Sequence, residues 1–179
     1  MTDKLDQILT NYQSSFSAKV FKEKDGGDDI LMDAFSITNQ MKDQNKQYWG
    51  RELGKCWEKL VISVFEHHEG FRRGIKVSQD EICDLVFNNY AIDTKYRVGS
   101  GDSGTLKKFK LYGAQIKDLG KEPVMLFLRE DNLPAAITAM KKGGWKIITG
   151  EDSFSFIKEH SGFNLEEYLK SNKAKYTVS

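Results

Sequence analysis

Asp93 and Lys95 stand two residues apart in the run Tyr90-Ala91-Ile92-Asp93-Thr94-Lys95, and Asp84 stands within the apolar run from Ile82 to Phe87, with Asn88-Asn89 between the two segments. In extended chain the side chains alternate between faces, so Asp93 and Lys95 share one face while Ile92 and Thr94 take the other. A turn at Asn88-Asn89 makes the two segments a β-hairpin and sets Asp84 and Asp93 at comparable distances from its bend, facing each other across the ladder. A carboxylate inside so apolar a strand is costly unless it is paired or bound to a cation. Two carboxylates and an ammonium on one face can hold a hard divalent ion through oxygen ligands and keep a fixed positive charge beside it, with the Thr94 carbonyl as a further candidate ligand. Phosphodiester hydrolysis needs such parts: an ion that polarises the phosphoryl oxygen and acidifies water, and a cation that orients that water or meets charge developing at phosphorus.

The elements that must position these residues follow from the hydrophobic period. Leu5, Ile8, Leu9, Tyr12, Phe16 and Val20 recur at helical spacing over residues 4–21, and after the DGGDD break Asp28 or Asp29 caps a second helix with Ile30, Leu31, Ala34, Phe35, Ile37 and Met41 along its stripe. Trp49, Leu53, Trp57, Leu60, Val61 and Val64 predict a long helix that stops near Gly70, after which the period changes from 3.6 to 2 for the hairpin. A glycine-rich loop over 98–104 leads to a helix from Leu106 to Gly120, then a buried strand in EPVMLFLRE, a helix from Leu133 to Lys142, a strand in WKIIT, and helices at 152–160 and 165–170. The order implies an α/β fold, a mixed β-sheet of about four to five strands flanked by helices, with an N-terminal helical segment.

Asp84, the eight residues that separate it from Asp93, and the string Ile92-Asp93-Thr94-Lys95, preceded by a helix with Gly54-Lys55-Cys56-Trp57-Glu58 and followed by helix, strand and helix, resemble the PD-(D/E)XK nuclease superfamily over roughly residues 50–150. The resemblance implies a restriction-endonuclease-like sheet and magnesium-dependent cleavage of DNA, with manganese able to substitute. It assigns catalysis to Asp84, Asp93, Lys95 and Glu58, and metal binding to Asp84, Asp93, Thr94 and Glu58. Glu52 competes with Glu58 for the helix position, and Cys83 stands where the superfamily's name records a proline. The candidate DNA contacts are Arg97, Ser100, Ser103, Lys107, Lys108 and Gln115, in or just beyond the glycine-rich loop. Among members, a chain of this size most resembles a type II restriction endonuclease, which implies double-stranded DNA and a homodimer as partners. The alternatives are a Holliday-junction resolvase, a repair or phage endonuclease, or a non-catalytic DNA-binding module of this fold.

Composition bounds the rest. With 179 residues, 39% of them apolar, and two prolines, the chain reads as one nuclease domain: an N-terminal helical segment over 1–45 for dimerisation or a DNA arm, a catalytic core over 46–160, and a C-terminal helix and tail over 161–179. No run is apolar enough for a signal peptide or a membrane span, so a cytoplasmic protein of a prokaryote or phage is expected, and Cys56 and Cys83 suit buried thiols better than a disulfide or zinc site. A net charge of +1 argues against a protein that coats nucleic acid by bulk charge, yet basic residues gather at Lys95, Arg97, Lys107, Lys108 and Lys110, enough for one cationic cleft. His67-His68 read as solvated residues at a helix end, Tyr112, Trp145 and Phe154 as packing, and Ser100, Asp102 and Ser103 suggest no triad.

Overall fold

The computed structural model describes residues 27–99 and 101–178; the helix expected over 4–21 and the candidate contact Ser100 lie outside them. Asp29 caps α1 (Ile30–Phe35), its carboxylate accepting from the N–H groups of Leu31 and Met32 at 3.0 Å. The single helix expected here is two, because Ser36 takes a left-handed φ of 57° and closes α1, and Thr38 then caps α2 (Asn39–Gln44). α3 (Lys46–Phe65) buries Leu53, Trp57, Val61 and Phe65, one side of a helix at four-residue steps. Trp57 is fully buried and donates its indole N–H to the Leu126 carbonyl at 3.3 Å, which pins α3 across the sheet.

The strands are β1 (Phe71–Arg73), β2 (Lys76–Val77), β3 (Asp80–Glu81), β4 (Leu85–Phe87), β5 (Tyr90–Lys95), β6 (Glu122–Phe127) and β7 (Lys146–Thr149). Five form one mixed sheet in the order β1-β4-β5-β6-β7; β1, β4 and β5 run antiparallel to their neighbours in that series, and β5, β6 and β7 are parallel. β2 and β3 make a separate two-stranded hairpin. Neither β1 nor that hairpin was expected from the residue pattern. Phe87 pairs with Tyr90 across the Asn88-Asn89 turn, where Asn88 adopts φ 52°, a conformation asparagine tolerates better than most residues.

Helices α4 (Ser103–Asp118) and α5 (Pro134–Gly143) cover one face of the sheet, and α3, α6 (Glu151–Ser161) and α7 (Leu165–Ser171) cover the other. The core divides accordingly. Ile92, Val124 and Leu126 pack with Trp57, Phe154 and Leu165, whereas Ala91, Met125 and Phe127 pack with Phe109, Ile116 and Met140. The sheet is therefore apolar on both sides along β5 and β6, as a central parallel strand must be when both faces are covered. Any polar side chain on β5 sits in a layer that is otherwise dry.

Candidate metal and phosphodiester site

Asp93 and Lys95 lie on the face of β5 that carries Ala91, the side beneath α4 and α5. Asp93 is only 8% exposed. Lys95, at the end of the strand, is half-buried and donates its ammonium to Asp93 Oδ1 at 2.7 Å and to the Thr94 carbonyl at 3.1 Å. A side-chain oxygen and a main-chain oxygen thus already converge on one cation.

Asp84 reaches this place by a route that simple alternation does not foresee. Strand β4 begins at Leu85, not at Ile82, because Ile82 turns away to donate its N–H to the Ile75 carbonyl at 2.8 Å beside the β2–β3 hairpin. Leu85 is the Cα partner of Ile92 and the last pair of that ladder, and the Asp84 N–H donates to the same Ile92 carbonyl at 2.9 Å. Asp84 therefore sits in a bend just before β4, where the alternation of a paired strand no longer sets its side chain. The Asp84 carboxylate consequently turns along β5, and its Oδ2 accepts the Thr94 N–H at 2.6 Å and the Thr94 hydroxyl at 2.7 Å. Its other oxygen accepts no N–H or hydroxyl among the described residues, and the Asp84 charge acts on Asp93 through space.

Burial is the main force on Asp93. It pushes the carboxyl up, the Lys95 ammonium pulls it down and the neighbouring Asp84 charge pushes it up again, for a net value of about 7. Lys95, although desolvation opposes it, is held above the usual lysine range by Asp93 and Asp84. Two acids and one ammonium leave the cluster with an excess of negative charge that a further cation would relieve.

Glu58 follows Trp57 on α3 and stands half-buried at the flank of the helix. Burial raises its carboxyl, Asp84 raises it further and Lys95 lowers it, so it lies in Coulombic range of the cluster. Glu52 instead bonds to Arg51 at 2.9 Å and Lys55 at 3.2 Å, both on its own helix, which lowers its carboxyl. Glu58 is therefore the helix glutamate the site feels. Among the described residues no three His, Cys, Asp or Glu side chains are grouped closely enough to hold a metal ion. The donor set is a pair of carboxylates with the Thr94 carbonyl, and Glu58 stands outside direct contact. Such a set fits magnesium, which is commonly held by one or two carboxylates and keeps several waters.

The candidate DNA contacts fall at different depths. Arg97 is engaged by Asp131, donating to its carbonyl and its carboxylate at 2.9 Å. Ser103 and Lys107 are exposed on the first turns of α4, which Asp102 caps by accepting the Thr105 N–H at 2.8 Å. Lys108 pairs with Asp80 of the β2–β3 hairpin at 3.4 Å. Gln115 is partly buried and its Oε1 has no hydrogen-bond partner among the described residues. Cys83, next to Asp84, is a buried thiol pushed up to about 12 by desolvation and bonded by the Ile75 N–H at 3.4 Å, which suits the packing role expected of it. No helix among the described residues is long and apolar enough to cross a membrane. No family model, curated protein or solved structure matches the chain.

Proposed function

We propose that the chain is a magnesium-dependent endonuclease acting on double-stranded DNA, with Asp84, Asp93 and Lys95 as its working residues and Glu58 in support. The observation that carries this reading is that Asp84, just before β4, bonds Thr94 of β5 through one carboxylate oxygen while Lys95 touches both Asp93 Oδ1 at 2.7 Å and the Thr94 carbonyl at 3.1 Å. The mixed five-stranded sheet with helices on both faces is compatible with the restriction-endonuclease-like fold. The Asp84, Asp93, Lys95 spacing and its similarity to the PD-(D/E)XK superfamily support the same reading.

In this reading Asp84, Asp93 and the Thr94 carbonyl would hold the ion. The chemistry an ion supplies there is polarisation of the scissile phosphoryl oxygen and a lowered pKa for bound water. Thr94 fixes Asp84 through two hydrogen bonds, so one carboxylate is oriented before any substrate arrives. Lys95 swings from Asp93 toward the phosphate, where its charge meets the negative charge that builds up during attack. Glu58 adds negative potential behind the pair. A type II restriction enzyme, working as a homodimer on a short palindrome, is the form of this activity that the resemblance favours.

The test is direct. Purified protein with Mg²⁺ should cut a phage genome, and the sequenced fragment ends will separate site-specific from non-specific cutting. Asp93→Ala and Lys95→Ala should each lower the rate by about a hundredfold or more while the circular dichroism spectrum stays unchanged. A fully active Asp93→Ala protein would sink the assignment.

A further inference from the structure

The face of α4 and α5 turned away from the sheet carries a one-sided charge. Over α4 and over 134–146 the chain holds seven lysines and one acid, Asp118, in a protein whose net charge is only +1. Lys107, Lys110, Lys117, Lys141, Lys142 and Lys146 are all exposed, and none forms an ion pair among the described residues.

Tertiary packing gathers these lysines. α4 and α5 meet at glycines: a Cβ on Gly113 would fall 2.4 Å from the Gly143 carbonyl, and one on Gly143 would fall 2.8 Å from the Lys110 Cα. Trp145 closes the seam from below, buried and donating its indole N–H to the Phe109 carbonyl at 2.7 Å. The Lys117 ammonium lies where a Cβ on Gly144 would come within 2.5 Å of it, directly beside the end of α5 that carries Lys141 and Lys142. Lysines from two helices therefore share one ridge. Lys107 begins that ridge next to Lys108, which pairs with Asp80 of the hairpin whose chain runs on through Cys83 to Asp84. At 1.5 Å per residue, the ten steps from Lys107 to Lys117 carry it about 15 Å along α4.

We propose that the α4–α5 seam is a docking track for the phosphate backbone of duplex DNA, extending the substrate contact well beyond the candidate contacts at the start of α4. Lysine is a mobile point charge that suits phosphates without reading bases, and a single-sign field of this kind captures and steers a polyanion. The choice of duplex DNA among polyanions rests on the proposed function.

The experiment measures binding without cutting: the full chain in EDTA, a labelled duplex of about 20 base pairs, and fluorescence anisotropy across a salt series. Lys110→Gln/Lys117→Gln/Lys142→Gln should weaken Kd about tenfold or more at low salt and flatten the slope of log K against log salt by about two to three. The charge-matched Lys158→Gln/Lys173→Gln/Lys175→Gln protein should bind like the wild type. Equal loss in both triples, an unchanged slope in the first, no binding by the wild type, or preference for an RNA duplex of the same length overturns the proposal. A Mg²⁺ cleavage assay on the same proteins separates the two claims. Seam-dependent binding without cutting leaves the track and removes the nuclease, while cutting with seam-independent binding does the reverse.

Discussion

Thr94 gives both its main-chain N–H and its hydroxyl to a single oxygen of Asp84, at 2.6 and 2.7 Å. The N–H stays whatever the side chain, so Thr94→Val isolates the hydroxyl at nearly constant shape. The loss of one charged hydrogen bond should cost about 1.5–3 kcal/mol of stability. In cleavage assays the expected signature is a lower kcat with little change in KM, because Asp84 loses its orientation while DNA contacts remain; Thr94→Ser should restore most of it. An unchanged kcat in the valine protein refutes this positioning role.

The buried acid predicts a pH effect on the metal-free protein. Asp93 titrates near 7 when folded and near 4 when unfolded, so between those values the folded chain binds more protons and stability falls as pH rises. Lys95, held above its usual range, titrates far above this window. In EDTA, Asp93→Asn should match the wild type near pH 4 and exceed its Tm by about 5 °C or more at pH 8, and Mg²⁺ at pH 8 should raise the Tm of the wild type but not of the variant. Parallel Tm curves for the two proteins across that range would contradict it.

Glu52 and Glu58 occupy the same helix and should behave differently. Glu58→Gln removes negative potential felt by Lys95 and Asp84, and cleavage at limiting Mg²⁺ should fall severalfold with partial recovery at high Mg²⁺. Glu52→Gln breaks only a solvent-screened pairing with Arg51 and Lys55 on its own helix and should leave the Mg²⁺ dependence untouched. A Mg²⁺ titration of both variants decides which glutamate serves the site.

Gly143→Ala tests the close approach of α4 and α5. The added methyl meets the Lys110 Cα and the Phe109 carbonyl, both 2.8 Å away and both main chain, so neither can step aside as a side chain would. Urea denaturation should show a loss of about 1–3 kcal/mol. A neutral result would mean that the helices sit farther apart.

How much of this the residues announce depends on whether local pattern or long-range packing decides the element. α3 is plain from sequence because twenty residues repeat one stripe, and β6 because its apolar run has no helical period. β1 is hidden: Phe71-Arg72-Arg73 is a three-residue strand with two exposed arginines, made extended by its pairing with β4. The pairing of Asp93 with Lys95 was readable from their spacing, but Asp84 was expected to face Asp93 by alternation alone, and instead it lies in a bend before β4 and bonds Thr94, with Ile82 turned away to Ile75. The lysine seam could not be foreseen, since Lys110 and Lys142 meet only through Gly113 and Gly143.

The two-residue bend at Asn88-Asn89 has a consequence for how this chain can change. Substitution alters one side chain at a time, but a residue inserted between Asp84 and Asp93 shifts the count along the ribbon and turns one acid to the opposite face with every atom of the site still present. The hairpin thus acts as a ruler: the proposed site depends on a number of residues as much as on their kinds, and in that reading a single-codon insertion there silences it without touching a functional group.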